Sequence, residues 1–160
     1  MRIAVLSGKG GAGKTLVAVN LAAALGQAVY VDCDVEEPNG HLFLRPVIET
    51  ITPVTVRQPV FDHSRCNGCR ACVDFCRFNA LAFVGDGPLL FPEVCHACGG
   101  CALLCPQGAV SEQAYEVGVI EQGQSRGITV LTGRMHPGQA SGVPIVRALW
   151  SLLDLSLIHI

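Results

Sequence analysis

Eight of the nine cysteines fall into two groups with the same internal spacing, C-x₂-C-x₂-C-x₃-C. Every cysteine of the second group lies 29 residues after its counterpart in the first, which indicates an internal duplication. In this spacing three neighbouring thiolates hold one four-iron cluster, and the fourth thiolate reaches the other cluster. The spacing therefore predicts two [4Fe–4S] clusters with these ligands: Cys66, Cys69, Cys72 and Cys105 for the first, and Cys95, Cys98, Cys101 and Cys76 for the second.

Zinc and disulfide bonds explain this spacing less well. Zinc sites combine C-x₂-C pairs across a longer gap, and structural disulfides are rare in a reducing compartment. His63 lies near Cys66, and His96 follows Cys95 directly. Because eight thiolates already supply every ligand, we expect both histidines to be surface residues.

A second group of chemically active residues lies near the start of the chain, where residues 8–15 read GKGGAGKT. This stretch fits G-x-x-x-x-G-K-[ST] between a predicted strand and a predicted helix. Its glycines allow backbone N–H groups to converge on phosphate oxygens, Lys14 adds an ammonium group, and Thr15 offers a hydroxyl to Mg²⁺. The predicted phosphate-binding residues are Gly8, Lys9, Gly10, Gly11, Ala12, Gly13, Lys14 and Thr15.

The run KGGAGKT resembles the deviant Walker A motif of the MinD/ParA/Mrp-type ATPases, which are relatives of the nitrogenase iron protein. The resemblance implies a homodimer in which Lys9 reaches the nucleotide phosphates of the partner subunit. A second lysine there would offset the charge that develops during phosphoryl transfer, as an arginine finger does. The alternative is that Lys9 is a solvated loop lysine.

The stretch DCDVEEPN resembles the second acidic motif of the same family. The resemblance implies that Asp34 positions the attacking water and the Mg²⁺ shell, and that Asp32 supports the magnesium site. Asn39 would lie near the nucleotide. Cys33, between the two aspartates, is expected to be a small strand residue without a redox role.

Residues 61–111 resemble a bacterial-type ferredoxin with two [4Fe–4S] clusters. Pro106 follows Cys105 as in that family, but Arg77 replaces the proline after Cys76. The arginines at positions 65, 70 and 77 either guide an acidic redox partner or form a solvated face.

The remaining pattern predicts an α/β fold, with a parallel sheet of the P-loop NTPase type that carries helices on both faces. RIAVLS and AVYVDCDV read as buried strands, and KTLVAVNLAAAL reads as a helix that ends at Gly26. ITPVTVRQPVFD reads as an edge strand or hairpin, because prolines interrupt it. YEVGVIEQG and GITVLTGRM read as two strands joined through residues 122–127, and VPIVRALWSLLD reads as a helix.

The expected domains are the first part of the ATPase (1–60), the inserted α+β ferredoxin-like unit (61–111), the continuation of the ATPase (112–154) and a tail (155–160). No apolar strand ending in a magnesium-binding aspartate is found, so the ATPase sheet is expected to be incomplete and the chain to be a fragment. The tail, LSLIHI, resembles the translation of a transposon-end sequencing adapter, and the alternative is a genuine apolar strand.

Composition excludes several classes of protein. Half of the residues are hydrophobic and 15% are charged, which is typical of a folded domain. The net charge of -2 predicts no nucleic-acid partner. No apolar run is long enough to span a membrane, and no signal peptide is recognised, so a cytoplasmic location is expected.

The combined motifs predict an ATP-binding iron–sulfur protein in which nucleotide gates electron transfer through the two clusters. ATP, Mg²⁺ and a redox protein are the expected partners, and the full-length form is expected to be an ATPase and a homodimer. An iron–sulfur cluster carrier of the Mrp type is the alternative function.

Overall fold

The computed structural model describes residues 2–9 and 11–156. The helices are α1 (Lys14–Leu25), α2 (Gly40–Leu44), α3 (Ala71–Phe75), α4 (Gly100–Leu104) and α5 (Val143–Ser156), with a 3₁₀ turn at Pro92–Val94. The strands are β1 (Ala28–Asp32), β2 (Val47–Phe61), β3 (Leu81–Val84), β4 (Gly87–Leu90), β5 (Val110–Ser125) and β6 (Ile128–Met135). The chain divides into two compact units: the first contains residues up to 54, residues 118–135 and residues from 145 onward, and the second contains residues 55–117 and 136–144.

Helix α1 begins and ends where the sequence predicts. Its twelve residues are rich in alanine and leucine, which favour helix. Gly13 precedes it with φ of 82°, and Gly26 follows it with φ of 71°, a conformation that glycine adopts without steric penalty. The amide of Gly26 donates to the carbonyl of Ala22 at 3.2 Å and so satisfies one terminal acceptor of the helix.

The main sheet has the strand order β1-β6-β5-β2. Strands β1 and β6 are parallel, with Ala28 opposite Ile128, whereas β5 and β6 are antiparallel. The predicted α/β class is therefore confirmed, but the sheet is mixed instead of parallel throughout. The antiparallel pair follows from the tight turn at Arg126 and Gly127, whose positive φ values of 48° and 85° suit a two-residue hairpin.

Helices pack on both faces of this sheet, as predicted. On one face, Val130 belongs to a buried cluster with Val19 and Ala22 of α1. On the opposite face, Gly133 leaves room for two fully buried residues of α5, Ile145 and Leu149. Because successive side chains of a strand alternate between faces, Val130 and Gly133 point in opposite directions.

The prediction of a buried strand at RIAVLS is wrong for the described residues. Residues 2–7 have no regular secondary structure, and Ile3 and Leu6 are exposed. An apolar run becomes a strand only when a neighbouring strand supplies hydrogen-bonding partners. In the described sheet β1 is an edge strand and residues 2–7 do not pair with it.

Three later predictions are confirmed. Strand β2 lies at the edge of the sheet, β5 and β6 form a hairpin, and α5 has Pro144 in its first turn. The hairpin turn is tighter than predicted, because β5 continues through Ser125. Helix α5 continues to Ser156, into the expected tail, and residues 157–160 lie outside the described part.

The second unit repeats one local structure. Helices α3 and α4 occupy positions that are 29 residues apart, and both are preceded by a residue with positive φ. Ala80 and Ala109, which are equivalent in the duplication, are buried. Strands β3 and β4 form a separate antiparallel pair. The duplication read from the cysteines is thus a duplication of backbone structure.

None of the described helices combines the length and the apolar character that crossing a bilayer requires.

Candidate functional site

The glycine-rich loop leads directly into α1. Gly13 is the N-cap residue, and no side chain caps this end of the helix. The first amides of a helix have no intrahelical acceptor, so they remain available to an anion. A Cβ placed on Gly11 or Gly13 would meet no atom within 4 Å, so the loop surface is open. Gly10 lies outside the described residues.

The two lysines of the loop differ in their environment. Lys9 is exposed, and its carbonyl accepts a 2.8 Å hydrogen bond from the hydroxyl of Ser7. Lys14 and Thr15 are half-buried in the first turn of α1. Within the described residues neither lysine forms an ion pair, which leaves two positive charges uncompensated beside the open end of a helix. Gly8 and Ala12, also in the loop, are exposed.

Asp32 ends β1 and is buried. Its Oδ1 accepts the amide of Asp34 at 3.2 Å, and its Oδ2 accepts the amide of Gly40 at 2.9 Å. Burial, together with the negative charge of the Asp32 carboxylate, raises the Tyr30 pKa. Asp32 therefore organises the loop that connects β1 to α2.

Asp34 and Asn39, the other two residues of the acidic motif, are exposed. Asn39 precedes α2, and its carbonyl accepts the amide of Leu42 at 3.2 Å. Cys33 is also exposed, but desolvation, with a smaller effect of Asp32, raises the pKa of its thiol. The prediction that Cys33 is a strand residue is wrong, because β1 ends at Asp32 and Cys33 follows it outside the strand. The nucleotide roles of Asp32, Asp34 and Asn39 stay predictions.

Sequence reasoning missed two polar groups near this end of the sheet. Thr132 lies opposite Asp32 in the parallel register of β1 and β6 and is 1% exposed. Its hydroxyl and the Nδ1 atom of His41 are buried without a hydrogen-bond partner among the described residues. A buried, unpaired hydroxyl is unusual. Periodicity could not have identified it, because threonine is a common strand residue.

The eight clustered cysteines line two cavities of the second unit. The first measures about 20 Å³ and the second about 250 Å³. The cysteines at the first cavity are Cys66, Cys69, Cys72 and Cys105. Those at the second are Cys76, Cys95, Cys98 and Cys101, and Cys72 borders it as well. Each predicted set of four ligands is thus found together, although the ligation itself stays a prediction.

Two influences act in opposite directions on the ionisation of these thiols: backbone amides favour the thiolate, whereas burial disfavours it. The amide of Ala80 donates to Sγ of Cys76, and the amide of Ala109 donates to Sγ of Cys105, both at 3.3 Å. Such hydrogen bonds stabilise negative charge on sulfur and tune cluster potentials. Burial raises the pKa of Cys72, Cys95 and Cys101, in the last case to about 11. These thiols therefore lose protons when they bind metal.

In the described part of the chain, no group of three or more Cys, His, Asp or Glu side chains could hold one metal ion. In a four-iron cluster each thiolate binds a different iron, so the sulfurs need not converge on one point. The second cavity is roomy, whereas the first has space for about one water molecule.

The two histidines near the cysteines have other contacts. His96 is exposed at the second cavity and stacks on Phe78, with ring centroids 3.9 Å apart. His63 is exposed and packs against Gly87, where a Cβ would overlap the imidazole ring.

Comparison with known proteins adds family information. Residues 3–155 match the CobQ/CobB/MinD/ParA nucleotide binding domain. An uncharacterized protein of Methanocaldococcus jannaschii is 33% identical over 93 residues, which cover 56% of this chain. Iron–sulfur cluster carrier proteins of Pyrococcus horikoshii and Pyrococcus furiosus are each 57% identical over 42 residues, or 24% of this chain.

The chain spans only part of these relatives. The matched region covers 34% of the Methanocaldococcus protein and 14% of each Pyrococcus carrier.

Proposed function

Because this chain belongs to the CobQ/CobB/MinD/ParA nucleotide binding domain family, we propose that it binds ATP at residues 8–15 and carries two [4Fe–4S] clusters, through which single electrons pass under nucleotide control. The observation that carries the proposal is the presence, in one chain, of an uncapped helix behind a glycine loop and of two cavities lined by four or more cysteines.

The phosphate part of the proposal depends on charge and open backbone. The first-turn amides of α1 and the Lys14 ammonium group bind the phosphate oxygens. Thr15 places its hydroxyl on Mg²⁺. Asp32, Asp34 and Asn39 act around the same nucleotide, and Lys9 contributes from a second copy of the chain. Closure of a dimer would then bring a second positive charge to the phosphates only when nucleotide is bound.

The cluster part depends on the thiol groups. Cys66, Cys69, Cys72 and Cys105 hold the first cluster, and the other four hold the second. When bound, such clusters accept and donate single electrons at potentials set by charge and hydrogen bonding. The amides of Ala80 and Ala109, which donate to Sγ of Cys76 and Cys105, contribute to that setting.

A cluster carrier is the second candidate, and the similarity to the two Pyrococcus proteins favours it. A carrier must release its cluster, whereas an electron-transfer protein must retain it. In this chain the cysteines of each set come from sequence positions far apart, so release would require several elements to separate.

Nucleotide binding is tested by titrating a fluorescent ATP analogue into anaerobically prepared protein. We expect Lys14→Ala to weaken binding at least about tenfold, because a charged contact to phosphate is lost. Arg147→Ala removes the same charge from an exposed position on α5 and is the matched control. Equal binding by the Lys14 variant would contradict the proposed loop function.

Nucleotide control is tested by measuring the reduction potentials of the clusters with and without ATP. We expect ATP to shift the potential of at least one cluster in the unmodified protein and to have no effect in Lys14→Ala. Transfer of the clusters to an apo-ferredoxin within minutes, together with potentials that ignore ATP, would favour the carrier instead.

A further inference from the structure

The duplication of the second unit supplies an internal comparison. Equivalent positions have the same backbone roles: the amide of Asp74 donates to the carbonyl of Arg70 at 3.0 Å, as the amide of Leu103 does to Gly99 at 3.1 Å. A residue that differs between the two halves is therefore not dictated by the shared backbone structure. Such a difference points to a function that only one of the two halves has.

Arginine side chains occur only in the first half of the duplication, which contains Cys66 and Cys76. The second half, which contains Cys95 and Cys105, has none. Three arginines there have uncharged counterparts 29 residues later. The pairs are Arg65 with Val94, Arg70 with Gly99, and Arg77 with Pro106. Because each counterpart is compatible with the repeated structure, none of these arginines is needed to form it.

Arg70 is the most informative of the three. It has φ of 62°, a left-handed conformation that suits glycine, and its counterpart Gly99 has φ of 74°. A non-glycine residue in this region is strained, because its Cβ lies too close to the following carbonyl oxygen. Its guanidinium lies 5.6 Å from the centroid of the Phe83 ring, which holds the charge in place by a cation–π contact. The sequence therefore accepts local strain at Arg70, as the second half does at Ala97, which has φ of 51° and whose counterpart is Gly68.

Arg65 holds a second guanidinium beside the same cavity. Its Nη2 donates to the carbonyl of Gln107 at 3.0 Å, and both Gln107 and Arg70 line the first cavity. Arg65 and Arg70 are exposed, and among the described side chains no carboxylate lies within ion-pair distance of either. The rim of the first cavity thus carries two positive charges held in place, although the Arg65 charge is partly offset by the Asp62 carboxylate, whose pKa it helps to lower. Arg77 instead lines the second cavity.

We propose that Arg65 and Arg70 form the docking site of an acidic one-electron carrier protein, at the cavity lined by Cys66, Cys69, Cys72 and Cys105. The inference rests on the proposed function, because only an electron-transfer partner gains from contact with that cavity. Opposite charge at an exposed rim steers encounter and fixes orientation.

The test measures binding of an acidic [2Fe–2S] ferredoxin to the anaerobically prepared full chain, by calorimetry at low and high salt. The double variant Arg65→Val/Arg70→Gly introduces the residues that the second half already has, so it should fold. We expect it to raise Kd about tenfold at low salt, because two charge contacts are lost, and to reduce the salt dependence. Arg77→Gln, which removes charge beside the other cavity, is the control and should change Kd less than about twofold.

Several results would overturn the docking site. Unchanged affinity in the double variant, with the iron content of the unmodified protein, would refute it while leaving the proposed function intact. Equal weakening by Arg77→Gln would indicate a general charge effect. A single-stranded RNA that binds as tightly as the ferredoxin would replace the protein partner with a polyanion. An unmodified chain that takes up no iron would refute the proposed function and the docking site with it.

Discussion

The backbone amide of Gly40 donates a 2.9 Å hydrogen bond to Oδ2 of Asp32, eight positions earlier in the chain. This bond, with that from the amide of Asp34, ties the loop after β1 to a buried carboxylate. Asp32 therefore has a structural role, whatever its part in binding magnesium.

Replacing Asp32 with asparagine should destabilise the protein by about 2 kcal/mol. One amide would then face an NH₂ group, and the charge that strengthens both hydrogen bonds would be lost. Urea unfolding followed by circular dichroism measures the change. Asp34→Asn is the control, because Asp34 is exposed, and it should alter the free energy of unfolding by less than about 0.5 kcal/mol. Equal effects of the two variants would contradict the structural role of Asp32.

Tyr30 should make unfolding sensitive to alkaline pH. Burial and the Asp32 charge raise its pKa in the folded state, so folding favours the neutral phenol. That contribution is complete below the ordinary tyrosine pKa of about 10 and is lost as pH rises above it. Tyr30→Phe should therefore have a free energy of unfolding about 1 kcal/mol lower than that of the unmodified protein at pH 8. This gap between the two free energies should narrow above about pH 10. A gap that widens with pH would contradict this assignment.

The unpaired hydroxyl of Thr132 predicts a stabilising substitution. Valine has nearly the same shape and leaves no buried polar atom without a partner, so Thr132→Val should raise the free energy of unfolding by up to about 1 kcal/mol. Thr129→Val on the same strand is the control. Its hydroxyl accepts a 2.9 Å bond from Gln124, and its loss should lower stability by about 0.5 kcal/mol. A clear loss at position 132 would mean that the hydroxyl has a partner, such as a buried water molecule.

Gly133 should tolerate no side chain. A Cβ there would lie 2.8 Å from Cγ2 of Ile145 and 2.9 Å from Cδ1 of Leu149, both in α5. Gly133→Ala should therefore destabilise the protein by about 1–3 kcal/mol through overpacking. Gly8→Ala is the control, because its Cβ would meet nothing within 4 Å, and it should unfold as the unmodified protein does. Similar unfolding of both variants would show that α5 packs elsewhere.

Local signals predicted the local structure well. Helix α1 was predictable from its composition and from Gly26, and the hairpin of β5 and β6 from its alternation and its glycine-containing turn. The sets of cysteines at the two cavities were also predictable, because their spacing is a local constraint repeated once.

Long-range relationships were not predictable in the same way. Residues 2–7 have the composition of a strand, but whether they form one depends on a partner strand. The two backbone partners of Asp32 and the missing partner of Thr132 depend on how distant segments meet. The membership of residues 136–144 in the second unit has no signal in their own composition.

Iron and sulfide analysis of the anaerobically reconstituted chain tests the central claim most directly. We expect about eight irons and eight sulfides per chain, corresponding to two four-iron clusters. Cys66→Ser and Cys101→Ser should each lower the iron content, because each alters a ligand of a different cluster. Cys33→Ser should retain the full content, since Cys33 belongs to neither set. A chain that binds zinc in place of iron, or that loses as much iron through Cys33→Ser as through Cys101→Ser, would contradict the account.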